Sequence, residues 1–366
     1  MPAIASVSSY TPSYQLDQET TTEFARELFA ESYQDIERLL TVFSNGQIEK
    51  RQFAVPIDWF RKDHSLQERN DLYIQLATEY SVEAIKGCLA HPRFLQSEIA
   101  VNEIDAIILV SSSGMATPSL DARIMNKLPF SAHTKRIPLW GLGCAGGAMG
   151  MSRAFEFCRA YPEANVLVVC VELCSLTFQR NDRTKSNLVG TSLFADGTAC
   201  ALVIGDDSAL RPQIRQDSVP NIIATESTLM PDSEDVMGWD VKDSGLHVVF
   251  SRSIPSIVTK WLRPVVEGFL QKEDVTVHQL SAFIAHPGGR KVLEAYSEAL
   301  GLAPELLEAS AQVLKLHGNM SSPTVLYVLE NVLASPKKAG EYGLMAALGP
   351  GFSSELLLLQ WEEGNR

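Results

Sequence analysis

The sequence predicts an α/β protein made from one strand–turn–helix unit used twice. Two continuous apolar runs, "IDAIILVSSSG" at 104–114 and "LSAFIAHPGG" at 280–289, read as buried strands that end in small-residue turns. Two further turns of small residues, "GLGCAGG" at 141–147 and "HGNMSSP" at 317–323, each open a helix-like pattern. These pieces recur in the same order on either side of a polar join at 206–222, "DDSALRPQIRQDSVPNI". The expected organisation is therefore a half at 1–210 and a similar half at 211–366, sharing one core.

Taken in chain order, "TTTEFARELFAESYQDIERLLTVF" (20–43) reads as one amphipathic helix. Phe24, Leu28, Ile36 and Leu39 fall near one stripe, and Thr22 or a neighbouring Thr is the expected cap. A second helix covers 72–90, ahead of the 104–114 strand. Past the turn at 141–147 a helix is expected over about 146–160, then the strand "NVLVVCVEL" (165–173) and a polar stretch at 179–187. "LFADGTACALVIGDD" (193–207) is a turn and a strand, and "GLHVVF" (245–250) alternates as a strand does. Two closing strands surround "GPG" at 349–351.

Composition excludes several function classes. The net charge of −13 argues against a nucleic-acid binder, which needs a basic face. The first residues, "MPAIASVSSYTPSYQ", lack the basic and apolar regions of a signal peptide. No run reaches about 18 apolar residues, so no membrane span is expected. Six cysteines without a Cys-x-x-Cys, and no His cluster at zinc spacing, point to a cytoplasmic protein with reduced thiols and no metal.

Five of those cysteines sit in apolar or helical contexts and read as small core residues. Cys144 differs, because glycines clear its surroundings and a helix follows it. The unpaired N–H groups and dipole of a helix start favour a thiolate, by at most ~1.5 pKa units. Full activation calls for an imidazolium as well. Among seven histidines, His286 ends a buried strand ahead of Gly288, Gly289 and a helix, where α/β folds place ligands. Asn319 stands in the matching turn of the other helix unit. A thiol, an imidazole and an amide suggest thioester chemistry, with the last two donating to an oxygen that becomes negative; no carboxylate is required.

The motifs "GCAGG" (143–147), "SLFADG" (192–197), "IAHPGGR" (284–290), "GNMSS" (318–322) and "GPG" (349–351) stand in an order that resembles the type III polyketide synthases, the chalcone-synthase-like branch of the thiolase fold. The resemblance runs from about residue 45 to 361. It implies a layered αβαβα fold, a homodimer, no bound cofactor, and malonyl-CoA and acyl-CoA as substrates. It implies that Cys144 carries the starter and growing chain, that His286 and Asn319 bind the malonyl thioester carbonyl and its enolate, and that Phe194 is the gatekeeper ring. Lys50 and Arg51 match a basic entrance segment, and Gly288–Gly289 a CoA-facing loop.

Departures from the plant enzymes are "ALGPG" at 347–351 and the poorly matching "GWDVKDSGLHVVF" at 238–250. The pocket positions Ser112, Thr117, Cys174, Thr177 and Ser321 are small, which suggests a bacterial member similar to the alkylpyrone synthases, with room for a long acyl starter. Competing readings are a β-ketoacyl-carrier-protein synthase III, a Cys–His–Asn thioester hydrolase and a non-catalytic dimeric scaffold.

Overall fold

The computed structural model describes residues 1–251 and 253–364. The chain opens with β1 (Ala3–Tyr10), β2 (Tyr14–Asp17), α1 (Gln18–Phe29), α2 (Ile36–Asn45) and β3 (Lys50–Phe53). The first half continues through α3 (Leu66–Leu89), β4 (Ala106–Val110), α4 (Leu120–Met125), β5 (Lys135–Leu139), α5 (Gly146–Ala160), β6 (Asn165–Leu173), α6 (Lys185–Leu193) and β7 (Asp196–Ile204). The second half comprises β8 (Ser218–Leu229), the hairpin β9 (Met237–Lys242) and β10 (Gly245–Phe250), α7 (Ile254–Gln271), β11 (Leu280–Ala285), α8 (Arg290–Leu300), α9 (Glu308–His317), α10 (Thr324–Leu333), β12 (Tyr342–Gly349) and β13 (Ser353–Glu363).

Nine strands join in the order β11-β12-β13-β8-β1-β7-β6-β4-β5. The pairing is the same outward from the middle in both directions. β1 to β7 and β8 to β13 are antiparallel, as are β7 to β6 and β13 to β12, and β6 to β4 matches β12 to β11 as a parallel pair. The halves meet at β1 and β8, through Ala3 opposite Asn221. Helices α5 and α10 lie between them, each touching strands of both halves, while α3 covers β1, β6 and β7 and the α7–α8 pair covers the other outer face. This is the expected αβαβα layering.

The core is less unified than the sequence reading held. One large cluster draws on both halves, packing Ile108 and Val168 with Val325, Leu326 and Leu329 of α10. A second cluster belongs to the C-terminal half, around Phe269, Tyr296 and Phe352. The expected helix at 20–43 is two helices, broken at 30–35. Its cap is Asp17, whose carboxylate accepts from the Thr20 N–H, and not one of the threonines. The break lets Tyr33 donate its hydroxyl to the Arg183 carbonyl, a tertiary tie that periodicity does not show. Among the described residues no helix is long and apolar enough to cross a membrane.

One contact brings the two halves of the site together. A Cβ added at Gly147, in the first turn of α5, would lie 2.3 Å from the Ser322 carbonyl oxygen and 2.6 Å from Val325 Cγ1. Neither a backbone oxygen nor a β-branched core side chain can rotate away. Gly147→Ala gains about 1 kcal/mol of helix propensity and meets an overpacking cost of ~1–3 kcal/mol. The expected outcome is a lower urea midpoint together with a loss of the protein's activity. An unchanged midpoint would show that the helix has room to shift.

Candidate active site

Cys144 lies in a single 3-10 turn, Gly143–Ala145, that runs straight into α5, and the residue is 6% exposed. Gly141 and Gly143 have φ of +87° and +47°, the left-handed region that glycine adopts without strain. The Ser112 hydroxyl accepts the N–H of both, at 3.1 and 3.3 Å. Asn319 follows Gly318 at the end of α9, and its backbone is clamped beside Phe194. Asn319 N–H donates to the Leu193 carbonyl and Ala195 N–H to the Asn319 carbonyl, each at 2.9 Å. The Asn319 amide accepts from the Ser321 N–H at 2.8 Å, donates to the Gly288 carbonyl at 3.1 Å, and presents Oδ1 3.9 Å from Cys144 Sγ. His286 caps β11, with its backbone N–H donating to the Ala346 carbonyl.

Cys144, His286 and Asn319 line one cavity of about 390 Å³, and the wall between them is mostly apolar. Gly288, Gly289, Arg290 and Lys291 line it too, at the start of α8. Burial pushes the Cys144 thiol up to about 11, opposed by hydrogen bonds to Ser321 and Asn319. Burial pulls the His286 imidazole down to about 3. Burial therefore disfavours the charged form of both groups, whereas the sequence called for an imidazolium. Neither ring nitrogen of His286 has a hydrogen-bond partner among the described residues. A buried polar group left so is costly, and a ligand oxygen would satisfy it.

Phe194 stands at the boundary with a second space. Its ring is 5.5 Å from Phe250 and 5.9 Å from Trp239, centroid to centroid. Phe250 lines the Cys144 cavity, whereas Phe194 and Trp239 line a narrow apolar slot of about 60 Å³. Cys174 and Thr177 line that slot, with Phe24, Phe178 and Leu246. The hairpin β9–β10, the stretch that departs from the plant pattern, thus supplies part of the slot wall.

Other expected site residues lie elsewhere. Ser112 orders the loop before Cys144, and Ser321, at φ +59°, addresses the sulfur and the Asn319 amide; neither lines either cavity. Thr117 is exposed, next to Pro118. Arg51 is the clearest correction. It is 1% exposed, so it offers no basic surface at an entrance. Its guanidinium donates to the carbonyls of Thr191 and Phe194 at 2.7 and 2.8 Å, and burial lowers its pKa to about 9. Lys50 is half-buried near the His317 ring.

The sequence reading also passed over Glu172. Its carboxylate accepts from the Ser112 N–H at 2.9 Å and from the Ser322 hydroxyl at 3.0 Å, so it ties the Cys144 loop to the Asn319 turn. Burial lifts it to about 7. The signal was a lone carboxylate inside the nine-residue apolar run "NVLVVCVEL".

Comparison with known proteins places this geometry. Residues 47–208 match the family of chalcone and stilbene synthases, N-terminal domain, and residues 221–361 match its C-terminal domain. A protein of Bacillus subtilis (strain 168) that carries a chalcone synthase name is 52% identical over 365 residues, 100% of both chains. The alpha-pyrone synthesis polyketide synthase-like protein Pks18 of Mycobacterium tuberculosis (strain H37Rv) is 30% identical, covering 97% of this chain and 90% of its own. The crystal structure of 1,3,6,8-tetrahydroxynaphthalene synthase from Streptomyces coelicolor A3(2), a bacterial type III polyketide synthase, superposes with a TM-score of 0.88 at 29% identity over 98% of this chain and 99% of that one.

Arg51 provides a test of the corrected placement. Arg51→Gln removes two hydrogen bonds from a charged donor, each worth ~1.5–3 kcal/mol. The unfolding midpoint is expected to fall, because the segment that carries Phe194 loses its anchor. A raised KM with an unchanged midpoint would restore Arg51 as a CoA contact.

Proposed function

The chain belongs to the chalcone and stilbene synthase family and is a type III polyketide synthase, and from that premise we propose that it extends a long-chain acyl-CoA starter with malonyl-CoA and releases alkylpyrones. The observation that carries this reading is the aromatic boundary of Phe194, Trp239 and Phe250, with a catalytic cavity on one side and, on the other, a mostly apolar slot of about 60 Å³ whose walls must part to admit a long chain. An alkyl chain gains up to ~0.8 kcal/mol for each CH₂ that finds an apolar wall. The name of the mycobacterial relative, which refers to alpha-pyrone synthesis, supports the same product class.

In this reading Cys144 Sγ passes its proton to His286, attacks the starter thioester carbonyl and expels CoA. Malonyl-CoA then places its thioester oxygen between His286 and the free N–H of the Asn319 amide. Phe194 meets the malonyl carboxylate with an apolar ring, which disfavours the anion relative to neutral CO₂. The enolate left by decarboxylation attacks the Cys144 thioester, and the lengthened chain returns to the sulfur for another round. An enol oxygen of the final chain closes on the thioester carbonyl and releases the pyrone. No step needs a metal or bound cofactor. A homodimer is part of the proposal: Trp140, 53% exposed, and Met115, 40% exposed, offer an apolar face beside the edge strand β5 and exposed Thr117.

Cys144→Ala is expected to stay folded and form no acyl adduct by intact-protein mass spectrometry. Continued polyketide formation by that variant would remove Cys144 from the chemistry. Asn319→Ala is expected to slow CO₂ release from malonyl-CoA by roughly 100- to 1000-fold, the usual effect of losing one oxyanion donor. A rate within about threefold of the parent would exclude it. Thr177→Trp and Cys174→Phe are expected to shift the starter preference to short chains, read from products made with a panel of acyl-CoAs. If neither moves it, the slot does not hold the acyl chain.

A further inference from the structure

The β9–β10 hairpin turns at Lys242–Gly245 and presents a serine and a histidine to the loop before α6. Ser244 Oγ lies 2.8 Å from His247 Nε2, and His247 Nδ1 lies 3.2 Å from Asp182 Oδ2. Asp182 is almost buried, yet its pKa is lowered: burial opposes this, but hydrogen bonds from Thr184 and His247 outweigh it. An ionised Asp182 accepts from Nδ1–H and so turns the Nε2 lone pair toward the serine hydroxyl. Ser244 and His247 stand three residues apart in the hairpin, and the fold brings Asp182 to them.

The surroundings hold the three in place. Arg69 donates to the carbonyls of both Phe178 and Ser244, which ties the hairpin tip to the body of the protein. Gln179 donates to the Leu246 carbonyl at 3.1 Å. All three residues line a cavity of about 710 Å³, distinct from the one at Cys144. Five cations, Lys62, Arg69, Arg180, Arg183 and Lys242, line it against three carboxylates, Asp63, Asp182 and Asp243, with Lys242 also paired to Asp240 and Arg180 to Asp63. That excess stands out in a chain of net charge −13. The Nε of Arg180 has no hydrogen-bond partner among the described residues.

We propose that Ser244, His247 and Asp182 form a second nucleophilic site, independent of Cys144, that cleaves carboxylic esters and thioesters carrying an anionic group. Ser244 Oγ bonds to the acyl carbon while His247 Nε2 takes the hydroxyl proton. The tetrahedral oxygen faces the cationic wall. As it collapses, the bond to the alcohol or thiol breaks and the leaving group takes the proton from His247. Water, deprotonated by the same Nε2, then attacks the acyl-serine, and the acid leaves as Ser244 recovers its proton.

The test uses the full chain carrying Cys144→Ala, so that the cysteine cannot react. A fluorophosphonate probe is applied and the adduct is located by peptide mass spectrometry. Hydrolysis of 4-nitrophenyl hydrogen succinate and 4-nitrophenyl acetate is measured alongside. The expected results are an adduct on Ser244, faster turnover of the anionic ester, and loss of both reactions on the order of 100-fold or more in Ser244→Ala and in His247→Gln. Asp182→Asn is expected to slow labelling without abolishing it. No adduct on Ser244, or an adduct formed equally fast in His247→Gln, would overturn the proposal. Equal or faster turnover of the neutral ester would overturn its substrate class.

Discussion

The first turn of α5 meets the backbone at Ser322 with no side chain between them, and the arrangement of the site depends on that contact. Cys144 belongs to the segment on one side and Asn319 to the segment on the other, so any residue larger than glycine at 147 would separate them. The approach sets Cys144 Sγ 3.9 Å from the Asn319 amide oxygen. Glu172 then fastens the two segments from below, through Ser112 and Ser322. The repeated fold supplies the framework for this. Each half contributes one central helix, and the two helices pack between the strands of both halves.

Burial is the second constraint, and it acts in opposite directions on the two reactive groups. It raises the thiol and lowers the imidazole, so it opposes charge on either. On the proposed reading, the same exclusion of water strengthens the hydrogen bonds that His286 and Asn319 offer to a developing enolate. Arg51 shows the protein accepting the opposite cost. A guanidinium is buried with its Nη1 donating to the carbonyls of Thr191 and Phe194, which anchors the backbone beside the ring at the edge of the slot, while Nε and Nη2 have no partner among the described residues.

Much of the fold was legible because it depends on local pattern. The runs at 104–114, 165–173 and 280–289 have mostly apolar centres, as strands covered on both faces do, and each forms a strand. The glycine-framed Cys144 and the strand-end His286 were legible for the same reason, since both sit at punctuation between elements. What escaped was tertiary. β1 is a central strand, yet "AIASVSSY" mixes serines with small apolar residues and carries little signal of burial. Arg51 was placed at a basic entrance on the resemblance of its segment, and only the fold reveals the two carbonyls that its buried guanidinium meets. Ser112 and Ser321 were expected on the pocket wall; small residues serve equally well as hydrogen-bonding groups behind it, and sequence does not separate the two uses.

On the proposed reading, an acyl chain bound to Cys144 runs past Phe194 into the apolar slot. A crystal structure of the protein after reaction with a long-chain acyl-CoA tests it most directly. The account predicts density continuous with Cys144 Sγ, passing between Phe194 and Trp239 and ending against Cys174, Thr177 and Phe178. An acyl chain that stays in the outer cavity beside Ile254 and Pro255, with the slot empty, would contradict it.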